Sequence, residues 1–137
     1  MLVKDIRECS YFTAGDGSIL CELLHPLREK EEISLHCSIA HARLPAGKST
    51  VPHKLKESAE VYYFLEGEGT LHINQESAEV KPGKAVFVPP GAVQYLKNTG
   101  DGDLLFLCIV DPMWREDDEE VINQCRTRRD SFAERSQ

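Results

Sequence analysis

The sequence predicts an all-β protein, a closed two-sheet antiparallel barrel followed by a short C-terminal α-helix. Three observations carry that expectation. Between residues 10 and 110, clusters of turn-forming residues recur at short intervals. The stretches between them are mostly four to eleven residues long and rich in Val, Ile, Leu, Phe and Tyr. No helical period of any length occurs before residue 111.

Taken in order, the turns are AGDGS (14–18), HPLREKEE (25–32), LPAGKS (44–49), GEG (67–69), INQES (73–77), KPG (81–83), PPGA (89–92) and NTGDGD (98–103). In SLHCSIAHARL, the small side chains Ser38, Ala40 and Ala42 are expected to face inward, where they leave volume. Cys37, Ile39, His41 and Arg43 then face outward; the opposite registration would bring His41 into the interior. From Glu60, alternation turns Tyr62 and Phe64 inward and leaves Val61, Tyr63 and Leu65 on the outer row. Pro89 and Pro90 cannot sit inside a paired central strand, so the chain must leave one sheet there. Gln94 and Leu96 share the next inward row, and LLFLCIV (Leu104 to Val110) reads as a buried strand.

The C-terminal segment has a different character. In DPMWREDDEEVINQCRTRRDSFAERSQ, Asp111 suits a helix cap and Pro112 its first turn. Acids from Glu116 to Glu120 and bases at Arg126, Arg128 and Arg129 complement a helix dipole. A helix and tail over 115–137 is therefore expected to pack on a barrel formed by 1–114, through Val121, Ile122 and Cys125, with Trp114 as its anchor. The two parts form a single domain, and the charge run is a solvated face.

Bulk properties narrow the function. The formal net charge of −7 and the lack of a basic stripe argue against nucleic acid, whose phosphates need clustered Lys and Arg. Asp5, Arg7 and Glu8 occupy the place of an export signal's apolar core. The longest apolar run is seven residues, too short to span a bilayer. Five scattered cysteines without a C-x-x-C pair disfavour a disulfide framework and a zinc knuckle. These features suggest a cytoplasmic protein without membrane or nucleic-acid partners.

Two ordered motifs carry a resemblance. Gly47 is followed after five residues by His53, then by Glu60, and six residues later by Gly67. After a hairpin come Gly83, Pro89, Gly91, Gln94 and Asn98. This spacing, over roughly residues 35–110, resembles a small single-domain cupin, which implies a double-stranded β-helix (jelly-roll) barrel with one open mouth. In cupins a metal is held by two His and one Glu of the first motif and one His of the second. The matching positions here are His53, Leu55, Glu60 and Gln94. Two imidazoles are replaced, one by an apolar chain and one by an amide.

The resemblance implies one divalent transition metal (Fe, Mn, Ni, Cu, Co or Zn) held by His53, Glu60 and Gln94, with waters completing the shell. Alternatively, Gln94 and Glu60 bond one another across a polar pocket. It also implies that Phe106, Cys108 and Val110 look into the barrel, so that Leu55, Tyr62, Leu96, Phe106 and Cys108 shape a substrate pocket. Tyr62 is either an acid, base or hydrogen-bond partner or a packed ring with a satisfied hydroxyl, and Cys108 either a chemical group or a small hydrophobe. His36 falls on the inner row far from the motif. His25 and His72 lie beside turns and are expected to be solvated, and Cys9, Cys21 and Cys125 to serve packing alone. Small cupins commonly pair, which implies a homodimer through Val61, Tyr63 and Leu65. The expected function is metal-dependent action on a small organic molecule, as an oxygenase, isomerase, cyclase or lyase. The alternative is a non-catalytic module that binds a small molecule without a functional metal.

Overall fold

A computed structural model describes residues 1–122 of the chain. Among the described residues, eleven strands build two antiparallel sheets that face one another. They are β1 (Phe12–Thr13), β2 (Ile19–Leu24), β3 (Ser38–Leu44), β4 (His53–Leu55), β5 (Ala59–Glu66) and β6 (Gly69–Ile73). β7 (Glu76–Val80), β8 (Ala85–Val88), β9 (Gln94–Asn98), β10 (Leu104–Asp111) and β11 (Glu119–Val121) complete the set. One sheet has the order β1-β2-β3-β10-β5-β8, the other β11-β4-β9-β6-β7. This is the expected barrel, and among the described residues no helix is long and apolar enough to cross a membrane.

Alternation along the central strands makes the core. On β10, Leu104, Phe106, Cys108 and Val110 are buried. Phe106 lies opposite Ala42 on one side and Phe64 on the other; Cys108 lies between Ala40 and Tyr62, and Val110 between Ser38 and Glu60. The rings of Tyr62, Phe64 and Phe106 sit 5.7–5.9 Å apart, centroid to centroid, and fill the lower barrel together with Leu44, Leu71, Leu96 and Leu104. Burying each such side chain contributes roughly 1.5–3 kcal/mol. The small row Ser38, Ala40, Ala42 faces inward as its composition suggests. His41 faces the other side, where the Tyr11 hydroxyl lies 2.7 Å from its Nδ1.

Turn chemistry fixes the ends. Gly67 takes a positive φ of 86°, and a Cβ there would stand 2.7 Å from the Asp103 carbonyl oxygen, so only glycine fits. Asn98 is buried; its amide donates to the Leu44 and Gly102 carbonyls, each at 2.8 Å, and its oxygen accepts from the Gly100 N–H. His25 is 2 % exposed rather than solvated. It accepts from the Leu27 N–H at Nδ1, so its Nε2 donates to the Trp114 carbonyl at 2.8 Å.

The expected C-terminal helix is corrected over its described part. Asp111 remains in β10, and Met113 and Trp114 donate their N–H groups to the His36 carbonyl and the Ser38 hydroxyl. A single 3₁₀ turn at Glu116–Asp118 leads into β11, which pairs with β4. The acidic run thus serves as a cap and an edge strand, because β4 offers backbone partners that a helix dipole cannot match. Asp118, 3 % exposed, accepts from the N–H groups of Glu57 (2.8 Å) and Ser58 (3.1 Å). Asp118→Ala leaves both donors without that acceptor and is expected to lower the unfolding free energy by about 2 kcal/mol in urea titration. The expected helical residues 123–137, with Cys125, lie outside the described residues.

Candidate functional site

Above the aromatic layer the inward side chains become small or polar, and the barrel opens into a cavity of about 140 Å³. Ser38 and Ala40 leave the space; Leu55, Val110 and Leu20 form apolar wall, and His53, Glu60 and Cys108 face it from three strands. Further polar and aromatic groups come from segments that the motifs do not include, among them Asp16, Glu22, Trp114 and Glu119. Asp16 arrives from the β1–β2 turn, Glu119 from β11, and Trp114 from the connection before it.

His53 starts β4 and lies opposite Gln94 on β9. Its Nδ1 is 2.8 Å from the Val51 carbonyl oxygen, which can only accept, so Nδ1 carries the hydrogen. That leaves Nε2 facing the cavity, 3.6 Å from the Asp16 carboxylate with the His53 side chain 3 % exposed. Asp16 is held by its turn: its Oδ1 accepts from the Ser18 N–H (3.0 Å) and hydroxyl (2.7 Å). The Asp16 carbonyl accepts from the Val51 N–H at 2.6 Å, which ties the turn to the entry of β4.

Glu60 is buried, and its Oε1 accepts from the Gln94 amide nitrogen at 2.9 Å. Gln94's oxygen in turn accepts from the Tyr62 hydroxyl. Burial drives the Glu60 carboxyl up to about 7, against the opposing pull of His53 and of the Gln94 amide. Burial also raises the Glu119 carboxyl, while His53 draws it down. The Cys108 thiol is raised first by burial and then by the Glu60 charge, so it stays a thiol and is no thiolate nucleophile.

The residues expected at the site therefore separate into two sets. His53, Leu55, Glu60 and Cys108 line the cavity. Tyr62, Leu96 and Phe106 belong to the packed core beneath it, and Gln94 is 1 % exposed between Tyr62 and Glu60. His53, Glu60 and Gln94 are brought together, but they do not fit a resident ion as a ligand trio. Gln94's oxygen already accepts a hydrogen bond from the Tyr62 hydroxyl, and its amide nitrogen, an N–H donor without a free lone pair, is what faces Glu60. Among the described residues no three His, Cys, Asp or Glu side chains are grouped to hold a metal.

Comparison with known proteins agrees with this architecture. Residues 40–110 match the family described as "Cupin domain". An uncharacterized protein of Methanocaldococcus jannaschii, MJ1618, is 38% identical over 81% of this chain and 86% of its own. The oxalate-binding protein of Thermotoga maritima is 33% identical over 74% of this chain and 82% of its own. A solved structure from Thermotoga maritima, described as a predicted oxalate decarboxylase, superposes with a TM-score of 0.67. It is 28% identical and covers 81% of this chain and 99% of that one. With the family match spanning more than half of its length and the barrel it shares with these relatives, the chain belongs to the cupin family.

Proposed function

We propose that this cupin binds a small organic molecule in its barrel cavity and works on it through its own side chains, moving a proton between His53 and Glu60. The observation that supports this most is the arrangement of hydrogen bonds around Gln94. Its amide is spent on Tyr62 and Glu60, while His53 keeps an open Nε2 and Glu60 borders the same cavity. A carboxyl lifted to about 7 and facing the same cavity as an imidazole acceptor is suited to acid–base chemistry at neutral pH. The Val51 carbonyl fixes the imidazole tautomer, so Nε2 is the atom that takes a proton. Glu60, whose carboxyl burial lifts to about 7, is the group that gives one. Gln94 is a positioning residue, holding Glu60 through one N–H.

This reading departs from a divalent transition metal on His53, Glu60 and Gln94. Elemental analysis of tag-free protein, incubated in turn with Fe, Mn, Ni, Cu, Co and Zn and then desalted, is expected to find well under one ion per chain. One ion per chain in the wild type, lost from both His53→Ala and Glu60→Ala, would overturn the proposal in favour of a metal-dependent site.

A further inference from the structure

The charge around the cavity restricts what can enter it. Among the described residues, its lining contains four carboxylates, Asp16, Glu22, Glu60 and Glu119, one imidazole, His53, and no Lys or Arg. Glu22 is matched from outside by Arg28, 2.5 Å away, whose guanidinium also stands 5.8 Å over the Trp114 ring. Among the described lining residues the other three carboxylates face no Lys or Arg, and His53 offsets them only when its Nε2 is protonated. Charges held in a partly desolvated space attract or repel a ligand far more strongly than the same charges in water.

Two acceptors in this group are left open. The Asp16 carboxylate gives one oxygen to Ser18 and turns the other toward His53. The His53 side chain is almost completely buried, yet its Nε2 has no hydrogen-bond partner among the described residues and opens into the cavity. A buried acceptor without a donor is costly unless a ligand or water supplies one. The rest of the wall, Leu20, Leu55 and Val110 among it, is apolar. The space, about 140 Å³, is close to that of a cavity of ~150 Å³ that holds one benzene.

We propose that the ligand is a small primary ammonium ion with a compact apolar body. Its N–H donors are met by Asp16, His53 and the neighbouring carboxylates of Glu60 and Glu119, and its body by the leucine-lined wall. This rests on the reading that the cavity takes an organic molecule, and it names the class. It also separates this chain from a relative named for oxalate: a small dianion entering here meets Asp16, Glu119 and the ionised form of Glu60, and no Lys or Arg among the described lining residues.

The test is isothermal titration of the full chain at pH 7.5 with size-matched probes: cyclopentylammonium, cyclopentanol, cyclopentanecarboxylate and oxalate. The ammonium ion is expected to bind at least about tenfold more tightly than the alcohol, with neither anion bound. Asp16→Asn and Glu119→Gln are each expected to weaken ammonium binding by about fivefold or more and to weaken cyclopentanol binding clearly less, so that the ammonium-over-alcohol preference falls, while cooperative thermal unfolding shows that the variants are folded. If the alcohol binds as tightly as the ammonium, the charge inference fails and the organic-ligand reading stands. If no probe binds, both fall. If Mn²⁺ or Zn²⁺ binds stoichiometrically and the ammonium does not, the acidic lining serves an inorganic cation and the inference is overturned.

Discussion

Replacing Leu55 and Gln94 together by histidine is expected to convert the site into one that binds Co²⁺ or Zn²⁺ at least about 100-fold more tightly than the wild type. Leu55 follows His53 on the same inward row of β4, and both are buried. Gln94 lies directly opposite His53. The double variant would therefore present imidazoles from both positions beside His53 and Glu60, a set that first-row ions accept readily. It would also remove the amide that now bonds Tyr62 and Glu60. Two readouts check this. The Co²⁺ complex of the variant should show visible ligand-field absorption, and its melting temperature should rise with metal concentration. At 100 times Kd, binding contributes about 2.7 kcal/mol of added stability. The wild type should show neither effect. A wild-type protein that already binds as tightly as the double variant would mean that Gln94 is no obstacle to coordination.

The barrel was legible because its determinants are local. Turn clusters, alternation and the spacing of Gly47, His53, Glu60, Gly67 and Gly83 each act within a few residues, and each agrees with the next. The inward row of β5 followed from period two, and that of β10 from the resemblance to small cupins. The depth at which each inward residue sits was not legible. Tyr62 and Glu60 share a row, yet one packs with Phe64 and Phe106 while the other borders the cavity, because the barrel fills with rings from below. Asp16 and Glu119 escaped for another reason: both reach the cavity through tertiary contacts of segments outside the motifs. Asp16 is carried in by a turn whose tie to the Val51 N–H is long-range, and only the Asp-Gly-Ser turn chemistry marked the place. Glu119 lies in an acidic run whose local pattern favours a helix dipole, but pairing with β4 pulled it into a strand. His25 shows the same limit, since a histidine beside a turn is buried here by the Trp114 carbonyl, 89 residues away in the chain.

Glu60→Gln is expected to leave stability nearly unchanged at low pH and to raise it at high pH. The physical cause is the burial of Glu60, which lifts its carboxyl from 4.5 to about 7 in the folded protein. Between these two values the folded chain holds a proton that the unfolded chain releases. The contribution of neutral Glu60 is thus fully present below about 4.5 and is lost as pH rises through about 7. Above that window the folded protein carries a buried carboxylate, with Asp16 adding repulsion that His53 and the Gln94 amide only partly offset. The lift corresponds to roughly 3 kcal/mol. Glutamine keeps the shape and an oxygen that can accept from Gln94, but it cannot ionise. Urea unfolding of both proteins at half-unit steps from pH 4.5 to 8 should give two curves that coincide at the acid end and separate steadily above it, with the variant more stable by up to ~3 kcal/mol at pH 8. Parallel curves would show that Glu60 is ionised at ordinary carboxylate pH, which would remove the proton donor from the proposed acid–base pair. A separation of the opposite sign would mean that the charged form is the stabilised one, held by a cation in the cavity even without added ligand.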